Sequence, residues 1–408
     1  MRVGFDARPI DPSTGPFGHG VRGIGRYTGS LLRALAEARP EWAASHLRIL
    51  TGGDGDVGLP PGMVATWRTQ PPAIPHLETD WLLAALGDRM AVRGAADLWF
   101  QTDVNRPLGP LPAARSIVAA HDLIPLDRLA RRPDRRIAYR LYLRRLRRAR
   151  MVIANSDETA AELRRRLGIP AARIRVVPPW IVTPGTTTSP GWPGSPGSPA
   201  PADGAAIEGL LVVGVAEPRK RFDLAVEVCG ILRYRGRPLP LRIVGMPLPG
   251  EMQRLRERAA GLGIGSLVEV LGYVDDATLG RLYASSVTLA VSAREGLGLP
   301  PLEAILAGGR VAAVPLPVYA ASLRGAAVFA TGPEPNAIAD AVERALDEAP
   351  PHAERLALAS RFSAEASASA FVSAVEAAAR LAGLADLAGL DGLDGLDGPD
   401  AAGSQGAP

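Results

Sequence analysis

The strongest constraint on the fold is an alternation that runs almost the whole chain. Short runs rich in Val, Ile and Leu read as strands: "RVGFDA", "LRILTG", "DLWFQT", "SIVAAHD" and "MVIANS", then "GLLVVGVA", "LRIVGM", "VEVLGYV" and "VTLAVSA". Amphipathic stretches separate them. Strands apolar on both sides, divided by helices, imply parallel sheets: each parallel pairing needs a crossover, and crossover helices cover the faces. A length of 408 residues favours two such domains over one.

Composition places the boundaries. Residues 183–204, "TPGTTTSPGWPGSPGSPAPADG", are too rich in Pro, Gly and Ser to build a core and read as a linker. The chain therefore divides into a first α/β domain at 1–178, a linker at 179–206 and a second α/β domain at 207–350. C-terminal helices at 351–385 are expected to pack back on the first domain. A low-complexity tail, 386–408, contains "GLDGLDGLDG" and reads as disordered.

Several classes are excluded. No run is long and apolar enough for a membrane span, and no signal peptide precedes "MRVGFDARPI", which points to the cytoplasm. The single cysteine, Cys229, allows no internal disulfide and reads as a core residue. The five histidines lack metal-ligand spacing. Neither a metal nor a bound cofactor is expected. Net charge is only +4, and Lys220 is the sole lysine among many arginines.

"GHGVRGIGRYTG" contains Gly18, Gly20 and Gly23 in the dinucleotide-binding order G-x-G-x-x-G. That fingerprint needs its first glycine directly after a strand. Here Gly18 comes eleven residues after Ala7, across three prolines, so a nicotinamide or flavin enzyme is not expected. Two readings remain: a flexible glycine loop, or Gly23 and Gly25 letting backbone amides approach a phosphate at a helix start. Ile24, Tyr27, Leu31, Leu35 and Ala38 supply that helix's apolar face.

Ligands of open parallel sheets bind beyond the carboxyl ends of the strands. His121 and Asp122 follow "SIVAA"; Glu217, Arg219 and Lys220 follow "LLVVGVA"; Arg294 and Glu295 follow "VTLAVSA". In "REGLGLPPLEA", Glu295 and Glu303 stand eight apart, and Pro300 and Pro301 suit a helix start that places Glu303 in the first turn. Taken alone, Glu303 could merely stabilise that helix. Arg219 and Lys220 could neutralise a diphosphate leaving group or be a solvated basic turn.

The ordered set "FDARPI", "GIGRYTGSLLRAL", "HDLIPL", "VIANSDETAAELRRRLGIPAARIRVVP", "VGVAEPRKRFDLAV", "LRIVG", "LGYVDDATLGRLYASS" and "REGLGLPPLEA" resembles the family-4 retaining glycosyltransferases of GT-B fold. The resemblance runs to about residue 345, the linker excepted. It implies two Rossmann-like domains facing across a cleft. It also implies transfer of a sugar, with retention, from a UDP- or GDP-sugar type of donor to a carbohydrate or lipid-linked acceptor. Carried over, Glu295 lies near the transferred sugar, Glu303 binds the ribose, and Arg219 and Lys220 hold the diphosphate. His121 faces the sugar hydroxyls, and backbone around Tyr273 borders the base. The loop with Gly23 and Gly25 and the turn Gly296, Leu297, Gly298 and Leu299 complete the donor site. Departures from the family pattern include Leu297 for its phenylalanine and Pro179-Trp180 for its Asn-Gly; they leave donor preference open.

Residues 128–150 hold eleven arginines. They read either as a helix meeting anionic lipid or as a solvated basic face. Rival functions are a catalytically silent GT-B binding protein and a nucleotide-sugar epimerase. Nucleic-acid binding lacks interleaved stacking motifs and is not expected.

Overall fold

The structure is a computed structural model. It describes residues 1–10, 23–52, 59–69, 96–103, 112–124, 126, 136–182, 206–245, 248 and 250–384. Gly18 and Gly20, the linker at 183–204, the start of the arginine-rich segment and the repetitive tail lie outside the described residues.

The first half runs β1 (Val3–Asp6), α1 (Gly23–Ala38), α2 (Pro40–His46), β2 (Leu47–Gly52), β3 (Ala65–Thr69), β4 (Leu98–Gln101), β5 (Ser116–Ala120), α3 (Arg136–Arg148), β6 (Met151–Ala154), α4 (Asp157–Leu167) and β7 (Ile174–Val176). The second runs β8 (Gly209–Val213), α5 (Phe222–Tyr234), β9 (Leu241–Val244), α6 (Glu251–Gly261), β10 (Val268–Gly272), α7 (Asp276–Ala284), β11 (Ser286–Ala290), α8 (Leu299–Leu306), β12 (Arg310–Ala313), α9 (Pro317–Leu323) and β13 (Val328–Phe329). The helices α10 (Pro335–Asp347), α11 (His352–Arg361) and α12 (Ala364–Leu381) follow.

The strands form a seven-stranded sheet, β3-β2-β1-β4-β5-β6-β7, and a six-stranded sheet, β10-β9-β8-β11-β12-β13. Every strand pairing is parallel. The two parallel-sheet domains expected from the alternation are present. All residues of β1, β4, β5 and β6 are buried, as strands covered on both faces require. Gly4 is needed in β1 because a Cβ there would stand 2.4 Å from the Trp99 indole, itself buried beside it. Cys229 sits in the second core, and burial pushes its thiol up to about 11.

Strands β3, β7, β12 and β13 are not among the apolar runs that mark strands in the sequence. Strands β3, β7 and β13 lie at or near sheet edges and are short or polar, so hydrophobic runs do not mark them.

The sheet order reverses between β1 and β4 in the first domain and between β8 and β11 in the second. At such a switch point the flanking connections leave on opposite sides and open a crevice. Thr102 follows β4, His121 follows β5, and Lys220 and Glu295 follow β8 and β11.

The domains are joined by two passages of chain. The first leaves the core of the first domain at Val177 and enters that of the second at Ile181. The second returns at Phe362, which belongs to the second core, to Ala364, which belongs to the first. Helix α12 then lies on the first sheet, with Phe371 against Phe5 and Phe100. The passages are bonded to each other: Ile181 N–H donates to the Phe362 carbonyl at 2.9 Å, and Ser367 Oγ donates to the Pro178 carbonyl.

Candidate active site between the two sheets

Beyond β8 the chain makes a short 3-10 turn, Pro218–Lys220, that closes on Arg221 in the left-handed region at φ 52°. This turn throws the Arg219 and Lys220 side chains towards the end of β11. The next segment is bonded to it: Ala293 N–H donates to the Arg219 carbonyl at 2.8 Å, and Arg219 Nη1 donates to the Arg294 carbonyl at 3.1 Å.

Glu295 lies where these segments meet. Lys220 Nζ donates to its Oε1 at 2.5 Å and Ser292 Oγ donates to the same oxygen at 2.7 Å. Arg219 Nη1 stands 3.3 Å from Oε2. Burial would push this carboxyl up, but Lys220 and Arg219 together outweigh it and hold it below the usual carboxylate range. An ionised carboxylate and two partly buried cations thus stand together at the switch point.

Glu303 is also buried, at 5% exposure. Helix α8 starts at Leu299, so Glu303 is its fifth residue and lies past the first turn where the two prolines had suggested it would be. The cause is Gly298, whose φ of +87° caps the helix so that it begins at Leu299, one residue ahead of Pro300. A side chain there would also strike Tyr319, at 2.6 Å. Glu303 Oε2 accepts from the Tyr283 hydroxyl at 2.8 Å, and Arg26 Nη1 of α1 stands 3.3 Å from Oε1. Arg26 reaches Asp276 as well, at 3.8 Å. Glu303, then Tyr283 and Asp276, raise the affinity of Arg26 for its proton against the opposing effect of burial.

His121 comes from the first domain. Its Nε2 lies 2.9 Å from the Thr102 carbonyl, which can only accept, so Nε2 carries the proton and Nδ1 is left as an acceptor. Burial pushes its pKa down and keeps the ring neutral. Tyr27 meets it edge-on at a centroid distance of 4.9 Å. Further back, the "FDARPI" stretch makes a buried two-pronged pair between Arg8 and Asp6 at 2.8 and 2.9 Å, and Thr102 Oγ1 donates to the Asp6 carbonyl.

The structure brings together Glu295, Arg219, Lys220 and the turn Gly296–Leu299. His121 joins them through the backbone, since a Cβ at Gly296 would stand 2.3 Å from the His121 carbonyl oxygen. Leu297 is buried, and its carbonyl accepts from Ser322 Oγ. Gly23 opens α1, Gly25 is buried two residues on, and Tyr273 stands 76% exposed at the end of β10. Arg26 and Tyr283 had not been singled out, although both lie inside quoted motifs. Among the described residues no group of three or more His, Cys, Asp or Glu is arranged to hold a metal ion.

The family pattern "Glycosyl transferases group 1" matches residues 208–361, and "Glycosyltransferase Family 4" matches 21–183. The chain belongs to the group 1 glycosyltransferases. Its architecture is GT-B, shared with solved structures of low sequence identity. Sucrose-phosphate synthase from Thermosynechococcus elongatus has a TM-score of 0.69 and 16% identity over 92% of this glycosyltransferase and 98% of that chain. WaaG, a glycosyltransferase involved in lipopolysaccharide biosynthesis, has a TM-score of 0.60 and 18% identity over 93% and 99%. Anabaena HepE, solved with UDP and glucose, has a TM-score of 0.59 and 16% identity over 94% and 97%. No curated protein matches this glycosyltransferase at a significant level. None of the helices among its described residues is long and apolar enough to cross a membrane.

Proposed function

We propose that this protein moves a sugar, with retention of configuration, from a nucleoside diphosphate sugar to an acceptor hydroxyl. The observation that carries the proposal is the convergence of Lys220 and Arg219 on the Glu295 carboxylate at the switch point of the second sheet. The binding of UDP and UDP-glucose by HepE supports the choice of donor class.

Departure of a nucleoside diphosphate concentrates negative charge on the leaving oxygen, while positive charge grows at the anomeric carbon. Lys220 and Arg219 neutralise the first, and fixed cations in a site poor in water need no reorganisation to do so. Glu295 stands beside them with its charge intact and stabilises the second. The acceptor attacks from the face the leaving group vacates, and the departing phosphate takes the acceptor's proton. The enzyme's contribution is charge and alignment. Glu303 accepts hydrogen bonds from the ribose, and neutral His121 offers its Nδ1 lone pair to a sugar hydroxyl. The backbone beside Tyr273 borders the base, and the helix start at Gly23 and Gly25 faces the phosphates.

The test is a panel of labelled UDP- and GDP-sugars, with and without EDTA. Release of free sugar or its transfer, with the anomeric configuration kept and the rate unchanged by EDTA, supports the proposal. Epimerised donor or no turnover with any member rejects it in favour of the epimerase or the silent binding protein. Loss of turnover in EDTA, restored by Mg²⁺ or Mn²⁺, rejects the two-cation mechanism.

A second observation bears on the acceptor. Helix α3 presents Arg140, Arg144, Arg147 and Arg148 to solvent, while Tyr142 and Leu146 are buried under it. An array of guanidinium groups on one surface suits contact with anionic headgroups, which would bring the cleft to a lipid-linked acceptor. Flotation with phosphatidylglycerol vesicles, lost in the Arg144→Glu/Arg148→Glu variant, supports this; equal flotation of both proteins rejects it.

A further inference from the structure

The loop that carries Glu295 is held from both sides of the cleft. The Glu295 side chain is bonded within the second domain, but its two neighbours in sequence are bonded to α4 of the first. Arg294 Nη2 stands 3.2 Å from Glu162 Oε1. The Gly296 carbonyl accepts from Ser156 Oγ at 2.8 Å and lies 3.3 Å from Thr159 Oγ1. Thr159 Oγ1 is also 3.4 Å from the carbonyl of His121.

A hydroxyl has one proton to donate. The Ser156 proton is best placed for the Gly296 carbonyl, since the alternative, Thr159 Oγ1, is farther at 3.0 Å. Ser156 Oγ still accepts from Thr159 N–H at 3.1 Å and so caps α4. The Thr159 proton is then shared between the carbonyls of Gly296 and His121. Both side chains are buried, so water does not compete for these bonds. The lack of a Cβ on Gly296 is what lets the two backbone segments come this close.

We propose that Ser156 and Thr159 are positioning residues for the transfer reaction: their hydroxyls tie the strand end bearing His121 to the loop bearing Glu295. The alignment of Glu295 against the first domain then depends on two hydroxyls that touch no substrate. The proposal rests on the donor-transfer function above.

The discriminating variant is Ser156→Asp. Aspartate retains the helix cap, because its carboxylate accepts from Thr159 N–H, but it has no proton for the Gly296 carbonyl. Thr159→Val removes the second hydroxyl at nearly constant volume. Each should lower kcat by roughly ten- to a hundred-fold, the scale of a misplaced catalytic group. The Kd of UDP and GDP, measured by calorimetry, should stay within about twofold, since only alignment is lost. Ser156→Thr, which caps and donates, should keep wild-type kcat. Wild-type kcat in both variants overturns the proposal. So does a parallel loss of kcat and nucleotide affinity, which would assign the hydroxyls to the fold or the donor pocket. A wild-type protein that neither transfers nor hydrolyses any nucleotide sugar overturns the donor-transfer function, and this inference with it.

Discussion

Lys220→Ala tests the charge arrangement most directly. The Lys220 side chain is 14% exposed and approaches the Glu295 side chain, 10% exposed, so the site is screened from solvent but not sealed. One unit charge about 4 Å from a phosphate oxygen is worth about 4 kcal/mol at an effective dielectric of ~20. Arg219 remains and covers part of the loss, so transition-state stabilisation should fall by about 3 kcal/mol, or between 10² and 10³ in kcat. A second consequence concerns pH. Glu295 is held below the usual carboxylate range chiefly by Lys220 working against burial. A carboxyl with a depressed folded pKa adds stability above its unfolded value and loses it as pH falls through the folded one. Removing Lys220 leaves burial opposed only by Arg219 and the Ser292 hydrogen bond, so the Glu295 pKa rises. The acid limbs of both activity and stability should therefore move to higher pH. The assay is kcat/KM and melting temperature, each from pH 4 to 8, for the wild type and the variant. A variant with kcat/KM within about threefold of wild type and an unmoved acid limb would refute the reasoning.

Three further outcomes follow from the same geometry. Glu295→Gln should lower kcat by about a hundredfold and leave nucleotide affinity little changed, whereas Glu303→Gln should raise donor KM about tenfold with kcat largely kept; steady-state kinetics with separate Kd measurements show whether the roles are reversed. Gly296→Ala places a Cβ 2.3 Å from the His121 carbonyl oxygen, so the domains should separate at this point and activity should fall; an unchanged radius of gyration in X-ray scattering together with full activity would contradict this. Burial lowers the His121 pKa, so the folded protein binds this proton less readily than the unfolded chain, and stability should decline as pH drops below about 6.5. His121→Gln should flatten the melting-temperature profile between pH 7 and 5, and an unaltered slope would count against a ring held neutral by partial burial.

The sequence revealed what is local. Apolar runs located the central strands because burial on both faces leaves no choice of side chain. The residues after those strands are site candidates because parallel order puts their ends on one side, and the structure brings Arg219, Lys220 and Glu295 together there. Strand β13, only Val328–Phe329, and β7, Ile174–Val176, carry too few side chains to signal a period. The position of Glu303 was misjudged because a glycine in the left-handed region, not proline, begins the helix. Arg26, Ser156 and Thr159 act across the cleft on residues far away in the chain, and no spacing within one segment encodes such a meeting.

The paired passages between the domains have a mechanical consequence. A body held by one flexible strand can swivel and twist about it. Two strands laid side by side and bonded to each other, as at Ile181–Phe362 and Pro178–Ser367, behave like the two pins of a door. They leave one easy rotation, about the line joining them, and resist sliding and torsion. A closing movement about that line would return each side chain to the same opposite number every time. Such repeatability would suit single hydroxyls and single glycine contacts, with almost no tolerance for misalignment, as the meeting points on the far side of the cleft.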